Sequence, residues 1–267
     1  MARASSCVLD LAADSDATAR IDPCDRQIRR DRPTPEGAST RVSASVTTPG
    51  STRFTSRPLG SAAVVPSSWM THAPEMRYYK GLVWYQKRFD AAPQPGERQF
   101  LRFGAANYAA DVWLNGTRLG RHEGGFTPFA FEVTGLLRAE GNRLVVGVDS
   151  ERDGLSIPPP VTDWETYGGI TRPVRLIAVP ETYVDDAWIR LESRDTLAAD
   201  LALAGPEAAG KAVQVRIPEL GIERTVQTDA AGRARLAMPL PANARLWSPD
   251  SPILYDVEIG AGQDRWR

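Results

Sequence analysis

The sequence predicts an all-β protein built from two β-sandwiches, preceded by an N-terminal segment that has no core of its own. The chain of 267 residues contains 22 glycines and 21 prolines, which favours a turn-rich fold over a helical bundle. Short apolar and aromatic runs recur at even spacing from residue 64 onward. No amphipathic helix of even ten residues is evident after residue 60. Together these observations favour strands joined by short turns.

The charge balance excludes partners that bind through bulk electrostatics. The chain carries 32 basic and 33 acidic side chains, a formal net charge of −1, so it has no positive excess with which to displace the counterions of DNA or RNA. No run approaches the about 18 apolar residues of a membrane-spanning helix. We therefore expect no nucleic-acid partner and no membrane partner. Arginine outnumbers lysine 29 to 3, a bias typical of bacteria with GC-rich genomes.

Residues 1–58 differ in composition from everything that follows them. The first 60 residues contain nine from the set Leu, Ile, Val and Phe, and their only aromatic residue is Phe54. This apolar content is too small to offset the conformational entropy lost on ordering. We therefore predict that residues 1–58 are disordered or form an atypical segment that does not pack on the sandwiches.

The first sandwich is predicted from a dense group of aromatic residues. Thirteen aromatics fall between Trp69 and Phe131, in short runs separated by Gly, Pro and Asn. The dipeptide Asn115-Gly116 is a strong signal for a tight hairpin turn; it also begins an N-glycosylation acceptor sequence, but the turn is the preferred interpretation. Four of the aromatics are expected in the core: Trp69, Trp84, Trp113 and Phe129. The predicted strands are Leu82–Phe89, Gln99–Phe103, Tyr108–Leu114, Thr117–Gly120, Arg143–Asp149 and Pro173–Val179.

The second sandwich is predicted from evenly spaced runs after Pro180. Such runs recur about every 8–14 residues, which is typical of a small sandwich of about seven strands. The strands expected here are Val184–Leu191, Asp200–Ala204, Lys211–Ile217, Ile222–Thr228, Arg233–Met238 and Ile253–Ile259.

The residues alone do not predict a self-sufficient active site. The histidines are His72 and His122, and no G-x-S-x-G motif presents a nucleophilic serine. His122-Glu123 begins like a zinc-binding H-E-x-x-H motif, but Phe126 stands where the second histidine is needed. Two carboxylate pairs are candidates for glycoside hydrolysis, Asp163 with Glu165 and Asp185 with Asp186. Neither is persuasive as an opposed acid and nucleophile.

The long segment 150–173, between two predicted strands, is the strongest candidate for a functional loop. Loops longer than about 15 residues without their own secondary structure are usually functional or disordered, and this one is rich in aromatic residues and glycine. An aspartate, Asp163, stands close to Trp164 and Tyr167. A carboxylate accepts hydrogen bonds from sugar hydroxyls, while aromatic rings cover the C–H face of a sugar. The two rings could equally be packing residues.

Several ordered strings resemble the amino-terminal region of glycoside hydrolase family 2, which includes β-glucuronidases, β-galactosidases and β-mannosidases. The strings are GLVWYQKRF around Trp84, VWLNG at 112–116, HEGGFTPF at 122–129, NRLVV at 142–146 and the stretch from Asp163-Trp164 through YGGITRPV. Near the C-terminus, LWSP at 246–249 and PILYDV at 252–257 resemble the end of the family's second domain. The form of the Asp163 stretch leans towards the β-glucuronidase-like branch.

The resemblance implies a domain plan. Residues 59–180 would form the family's jelly-roll sugar-binding domain, and residues 181–267 its immunoglobulin-like β-sandwich, expected to lack the last strand. The stretch before Val65 lacks the family's opening Leu-x-Gly-x-Trp-x-Phe strand, so the resemblance does not extend to the first strand of the jelly roll. In the family the two catalytic glutamates lie on a following TIM barrel, which needs about 250 further residues.

The resemblance also implies site roles, none of them catalytic. Asp163 matches the family aspartate that reaches the terminal sugar's hydroxyls, so we expect it to bind substrate. Trp164 and Tyr167 are further candidates for substrate binding, and Gly168, Gly169 and Arg172 are expected to shape and anchor the loop. No metal site and no cofactor are expected for a glucuronidase-like protein, whereas a β-galactosidase-like one would add Na⁺ or Mg²⁺.

The resemblance leads to a functional expectation with two alternatives. The chain is expected to be the non-catalytic front part of a retaining exo-glycosidase, inactive alone, with a terminal β-glycoside and the missing catalytic barrel as partners. Exposure of the surface that the barrel would cover is expected to cause self-association. The alternatives are a stand-alone carbohydrate-binding module and an inactive gene fragment. No secretory signal is evident, which slightly favours the cytoplasm.

Overall fold

The computed structural model describes residues 62–266 except 72–75, 92, 162 and 166, together with three earlier strands. No helix in this described part is long and apolar enough to cross a membrane. Single 3-10 turns lie at Trp69–Thr71 and Pro218–Leu220. The strands are Cys7–Asp10 (β1), Thr18–Ile21 (β2), Arg41–Val46 (β3), Ala62–Val64 (β4), Leu82–Phe89 (β5), Glu97–Phe103 (β6), Ala109–Leu114 (β7), Thr117–Glu123 (β8), Phe129–Glu132 (β9), Asn142–Asp149 (β10), Val174–Pro180 (β11), Tyr183–Ser193 (β12), Thr196–Ala204 (β13), Ala212–Ile217 (β14), Ile222–Gln227 (β15), Arg233–Pro239 (β16), Leu254–Ala261 (β17) and Asp264–Trp266 (β18).

The chain divides into two compact units, and both are β-sandwiches. Sandwich A comprises Pro33–Ile177, and sandwich B comprises Met1–Arg32 with Ala178–Arg267. Sandwich A is the jelly-roll sandwich and sandwich B the immunoglobulin-like one, so the predicted all-β class is confirmed.

Sandwich A packs a six-stranded sheet on a three-stranded sheet. The strand orders are β4-β3-β5-β10-β7-β8 and β11-β6-β9, and every pair in them for which a register is described is antiparallel. Because side chains alternate along a strand, Val83 and Tyr85 of β5 face the core, as do Leu101 and Phe103 of β6. Phe103 is fully buried, and its ring stacks on that of Phe129 at 4.8 Å between centroids.

The same alternation corrects part of the predicted core. Trp69 and Phe129 are buried, as expected. Trp84 and Trp113 instead lie half-buried outside the core cluster, with ring centroids 5.5 Å apart. Trp84 occupies the strand position between two core residues, so its side chain leaves on the outer face of the sheet. The general tendency of tryptophan to be buried does not tell which face of a strand a given tryptophan occupies.

The hairpin at Asn115-Gly116 forms as predicted and also ties three segments together. Both residues have positive φ, 53° and 89°, the backbone that asparagine and glycine tolerate best. The Asn115 amide nitrogen donates to the carbonyl oxygen of Leu136 at 2.8 Å and to Oδ1 of Asn142 at 3.0 Å. Its Oδ1 accepts the backbone N–H of Arg143 at 2.8 Å. The glycosylation acceptor nitrogen is therefore engaged in holding the turn to β10.

Sandwich B places one sheet of β1-β17-β14-β15, with β18 also on β17, against a second sheet of β16-β13-β12-β2. Its core alternates along β14, where Val213, Val215 and Ile217 are all fully buried. A buried carboxylate links β18 to β12: Asp264 Oδ2 accepts the backbone N–H of Val184 at 2.8 Å and the indole N–H of Trp266 at 3.3 Å. The predicted strands of this unit agree with the observed ones to within a few residues, except that β13 begins four residues earlier.

Three strands are described within residues 1–58, the segment that the sequence predicts to be disordered or atypical. Strand β1 pairs with β17, β2 with β12, and β3 with both β4 and β5. Strands β1 and β2 lie at sheet edges, where an added strand gains main-chain hydrogen bonds without contributing a core of its own, and β3 lies between β4 and β5. The rest of the segment lies outside the described residues.

We predict that Asn115→Ala destabilises sandwich A by about 3 kcal/mol. The substitution removes three hydrogen bonds, each contributing about 1 kcal/mol, and places alanine at positive φ. Urea unfolding followed by tryptophan fluorescence measures the change. Thr117→Ala, at an exposed position of the same turn, is the matched control and should change stability by no more than about 0.5 kcal/mol. Equal stability of the two variants would contradict the assigned role of the Asn115 side chain.

Candidate functional site

The candidate site is the loop of residues 150–173, which joins β10 to β11 in sandwich A. The first residue of the loop, Ser150, is buried. Its backbone N–H donates to the Gly81 carbonyl at 3.1 Å, and the Gly81 N–H donates to Ser150 Oγ at 3.1 Å. The loop therefore leaves the sheet from a fixed point.

A compact turn follows at residues 153–156. The Asp153 carboxylate accepts the backbone N–H of Leu155 and the hydroxyl of Ser156, both at 3.0 Å. The Ser156 hydroxyl, with smaller contributions from backbone N–H groups, lowers the pKa of Asp153. Asp153 is thus a turn-forming carboxylate that remains ionised at neutral pH.

The returning part of the loop is clamped to the sandwich by backbone hydrogen bonds. Asn107 and Gly169 exchange two of them, at 2.8 Å from the Asn107 N–H and at 3.1 Å from the Gly169 N–H. On the other side, the N–H of Ser67 donates to the carbonyl of Ile170 at 2.9 Å, and the N–H of Trp69 to that of Gly168 at 3.1 Å. Residues 168–170 therefore lie between two segments of sandwich A and bond to both.

The side chain of Asn107 extends this clamp towards the tip of the loop. Asn107 is buried, and its amide nitrogen donates to the carbonyl oxygen of Tyr167 at 2.7 Å. A Cβ at Gly125 would overlap Asn107 Oδ1. The second glycine of the Gly124-Gly125 pair therefore leaves the room that the asparagine needs, which connects the HEGGFTPF string to the loop.

Both glycines of the predicted loop-shaping set are required by close approach. A Cβ at Gly168 would overlap the indole ring of Trp69, which is buried beneath it. Gly169 has φ of 131°, and a Cβ there would lie 2.9 Å from the carbonyl oxygen of Ser67. Arg172 is exposed, and its backbone N–H donates to the carbonyl of Ala105 at 3.4 Å.

The tip of the loop carries the predicted substrate-binding residues and leaves them exposed. Asp163 and Glu165 are both exposed carboxylates. Trp164 is 56% exposed and Tyr167 is 48% exposed, large values for aromatic side chains. Asp163, Trp164 and Tyr167 thus lie in the exposed stretch of the loop that precedes the clamp at residues 168–170. A carboxylate beside exposed rings is able to bind a sugar's hydroxyls and its C–H face together.

His122 and Glu123 do not form the start of a metal site. The His122 ring stacks on Phe129, with 4.2 Å between centroids, and its Nε2 lies 3.1 Å from Thr127 Oγ1. Burial lowers the pKa of His122. Among the described residues, no group of three His, Cys, Asp or Glu side chains is arranged to hold a metal ion. In this arrangement His122 is a packing residue next to the Gly124-Gly125 turn.

Sequence reasoning did not single out Asn107 and Ser68, and it assigned Trp69 only to the core. Ser68 Oγ donates to the carbonyl of Gly168 at 2.9 Å, so Ser68, Trp69 and Asn107 together hold the returning part of the loop. A signal was present for Asn107: it is a polar residue within the otherwise mainly apolar stretch from Phe103 to Ala110, which connects two core strands. Buried polar side chains in such stretches have hydrogen-bond partners.

The chain thus combines a jelly-roll sandwich, which carries an exposed acidic and aromatic loop, with an immunoglobulin-like sandwich. Residues 38–180 match the family described as "Glycosyl hydrolases family 2, sugar binding domain". The chain belongs to glycoside hydrolase family 2, as its sequence motifs suggested.

The curated proteins to which the chain is similar include β-glucuronidases and β-galactosidases. The chain is 29% identical over 232 residues to a β-glucuronidase of Felis catus, covering 73% of this chain and 35% of the relative. It is 28% identical over 199 residues to a β-galactosidase of Thermoanaerobacter pseudethanolicus, covering 68% and 26%. The chain therefore spans about a third or less of the length of these curated relatives.

Solved structures share the fold. A Bifidobacterium dentium β-glucuronidase complexed with coumarin-3-O-glucuronide superposes with a TM-score of 0.77 at 24% identity, covering 96% of this chain and 48% of that one. A Faecalibacterium prausnitzii β-glucuronidase gives a TM-score of 0.72 at 23% identity, covering 95% and 46%. At these identities the likeness establishes the shared architecture.

We predict that Gly168→Ala destabilises sandwich A by about 2 kcal/mol, because the added methyl group overpacks against the buried ring of Trp69. Gly154→Ala is the matched control: Gly154 lies in the same loop, and a Cβ there meets nothing within 4 Å. Thermal unfolding and the rate of proteolytic cleavage within residues 150–173 measure the two effects. If both variants unfold and are cleaved alike, the close packing of residue 168 on Trp69 does not hold the loop.

Proposed function

We propose that this chain is the non-catalytic N-terminal part of a retaining exo-glycosidase that hydrolyses terminal β-linked sugars, with β-glucuronides favoured over β-galactosides. In this proposal the loop of residues 150–173 contacts the terminal sugar beside a catalytic barrel that this sequence does not contain. Asp163 accepts hydrogen bonds from the sugar hydroxyls, and Trp164 and Tyr167 line the same side of the substrate.

The observation that carries the proposal is an exposed acidic and aromatic tip on a tightly clamped base. A loop that served only to connect β10 to β11 would not need the clamp formed by Ser67, Trp69 and Asn107. A substrate-contacting loop does, because a ligand site must hold its groups close to their binding geometry. Gly168, Gly169 and Arg172 act in the proposal as the residues that shape and anchor this base.

The separation of binding from catalysis follows from the chemistry of retaining hydrolysis. That reaction needs two carboxyl groups about 5–5.5 Å apart on opposite sides of the scissile bond, one as nucleophile and one as acid and base. Asp163 and Glu165 are instead neighbours on one exposed segment. We therefore assign neither of them a catalytic role and place both catalytic carboxylates on the barrel.

Exposed apolar side chains on the same loop support a partner surface. On the loop, Leu155 is 91% exposed, Ile157 82% and Val161 89%. Phe126, which follows the Gly124-Gly125 turn, is 50% exposed. Apolar surface of this kind commonly marks an interaction site. In the proposal the barrel covers these residues, and a chain without it self-associates.

The preference for a glucuronide rests on the relatives. β-Glucuronidases occur among both the curated relatives and the solved structures, and one of those structures holds a glucuronide. The D-W-x-x-Y-G-G-I-x-R-x-V stretch of this chain leans the same way. The 28% identity to a β-galactosidase keeps galactosides as the second substrate class.

We predict that the 267-residue chain alone does not hydrolyse p-nitrophenyl β-D-glucuronide or p-nitrophenyl β-D-galactoside. Release of p-nitrophenol measures this directly, and a β-glucuronidase assayed in parallel controls for the substrate. Turnover by the wild-type chain that Asp163→Asn abolishes would contradict the assignment of catalysis to a separate barrel.

A graft tests the role of Asp163. The chain replaces the matching N-terminal part of the Bifidobacterium dentium enzyme, and the graft is assayed with both p-nitrophenyl glycosides. We predict glucuronidase activity, with kcat/KM lowered about 10- to 100-fold by Asp163→Asn, since charged hydrogen bonds contribute about 1.5–3 kcal/mol each. Glu165→Gln, the neighbouring carboxylate, is the matched control and should leave kcat/KM within about twofold. An inactive graft, or equal effects of the two substitutions, would contradict the proposal.

A further inference from the structure

Sandwich A contains a cavity of about 330 Å³ that the proposed glycosidase function does not use. It opens to solvent and is lined by residues of both sheets, on β5, β6, β10 and β11, among them Phe103 and Val146, and by Ile170 and Pro173 at the end of the 150–173 loop. Its volume is at the lower end of the about 300–1,000 Å³ typical of small-molecule sites. The lining is mainly apolar, so water molecules inside it would find few of the hydrogen bonds that hold buried water.

One charged side chain lies on this apolar lining. Lys87 belongs to the row of β5 residues that face the sandwich interior, two positions after Tyr85 and two before Phe89, and all three line the cavity. Its partner across the sheet is Leu144, another lining residue. In the described part of the chain no carboxylate forms an ion pair with Lys87. A lysine without a counter-charge on a core-facing row is unusual, because a buried or half-buried charge is normally paired.

Two further polar groups border the same cavity. Arg175 lines it from β11 and is exposed, so a second positive charge lies at its boundary with solvent. The hydroxyl of Tyr85 is buried next to the backbone of Ile170. The cavity thus combines an apolar lining with positive charge, and it has no negative side chain in its lining.

We propose that this cavity binds an amphipathic monoanion: a small molecule whose apolar body fills the cavity and whose carboxylate pairs with Lys87. We assign a negative charge to the ligand because the charged residues of the lining, Lys87 and Arg175, are both positive. We assign an apolar body to the ligand because burying it against the apolar lining contributes favourable binding free energy. The site is separate from the loop tip at Asp163 and does not depend on glycosidase activity.

The test compares two probes with the same apolar body, decanoate and 1-decanol, on the full 267-residue chain below their aggregation concentrations. Isothermal titration calorimetry gives the affinities, and protein-observed NMR identifies the perturbed residues. We expect decanoate to bind about tenfold more tightly than 1-decanol, with shifts at Val146 and Phe103. Lys87→Met should remove this preference by weakening decanoate binding about tenfold while leaving 1-decanol unchanged.

Two variants separate the cavity from non-specific adsorption. Arg88→Met removes a positive charge from the next residue of β5, which is exposed and lies on the opposite face of the strand, and should leave decanoate affinity unchanged. Val146→Phe fills the cavity and should abolish binding of both probes, while the NMR spectrum confirms that the chain is folded. Binding of neither probe to the wild-type chain would overturn the proposal, as would equal affinities for both probes or equal effects of Lys87→Met and Arg88→Met.

Discussion

The two backbone hydrogen bonds exchanged by Asn107 and Gly169 are the constraint on which the candidate site depends. They join the returning part of the 150–173 loop to the residues that lead into β7, and the Asn107 side chain then carries the connection to Tyr167. Close packing makes this clamp specific: glycine is required at 168 by the Trp69 ring, at 169 by the backbone of Ser67, and at 125 by Asn107 itself. A side chain at any of these positions would disrupt the clamp. The position of the exposed tip at Asp163 is therefore set in large part by buried residues, among them Trp69 and Asn107.

The fold was predictable from the sequence wherever one strand face is buried. Alternation along β5 and β14, together with the Asn115-Gly116 turn, specifies strands and register locally. Composition does not report the backbone pairing of β1, β2 and β3 with strands of the two sandwiches. Trp84 and Trp113 were assigned to the core on residue type alone, whereas their places in the alternation put them on the outer face. In each case the missing information was pairing, which depends on residues distant in sequence.

The candidate site was predictable only in part, for a related reason. The aromatic and acidic composition of the loop, and its motifs, single out Asp163, Trp164, Tyr167, Gly168, Gly169 and Arg172. The partners that hold them, Asn107 and the segment at Ser67–Trp69, lie about 60 and 100 positions away, so only the folded chain brings them to the loop. Lys87 illustrates the opposite case: its position on a core-facing row is evident from alternation, but the cavity beside it depends on four strands. Family membership and architecture are thus established for this chain, and the contact of the loop with a sugar is a proposal built on that architecture.

Amide hydrogen exchange measured by NMR on the 267-residue chain tests most directly whether the clamp is a stable part of the sandwich. The N–H groups of Ser67, Trp69, Asn107 and Gly169 donate the bonds that define it, and amides in cooperatively folded structure exchange only when that structure opens. The account predicts that these four amides are protected as strongly as those of β10, while Asp163 and Trp164 exchange rapidly. Exchange of Asn107 and Gly169 at the rate of the loop tip would contradict it, because the tip would then have no fixed base.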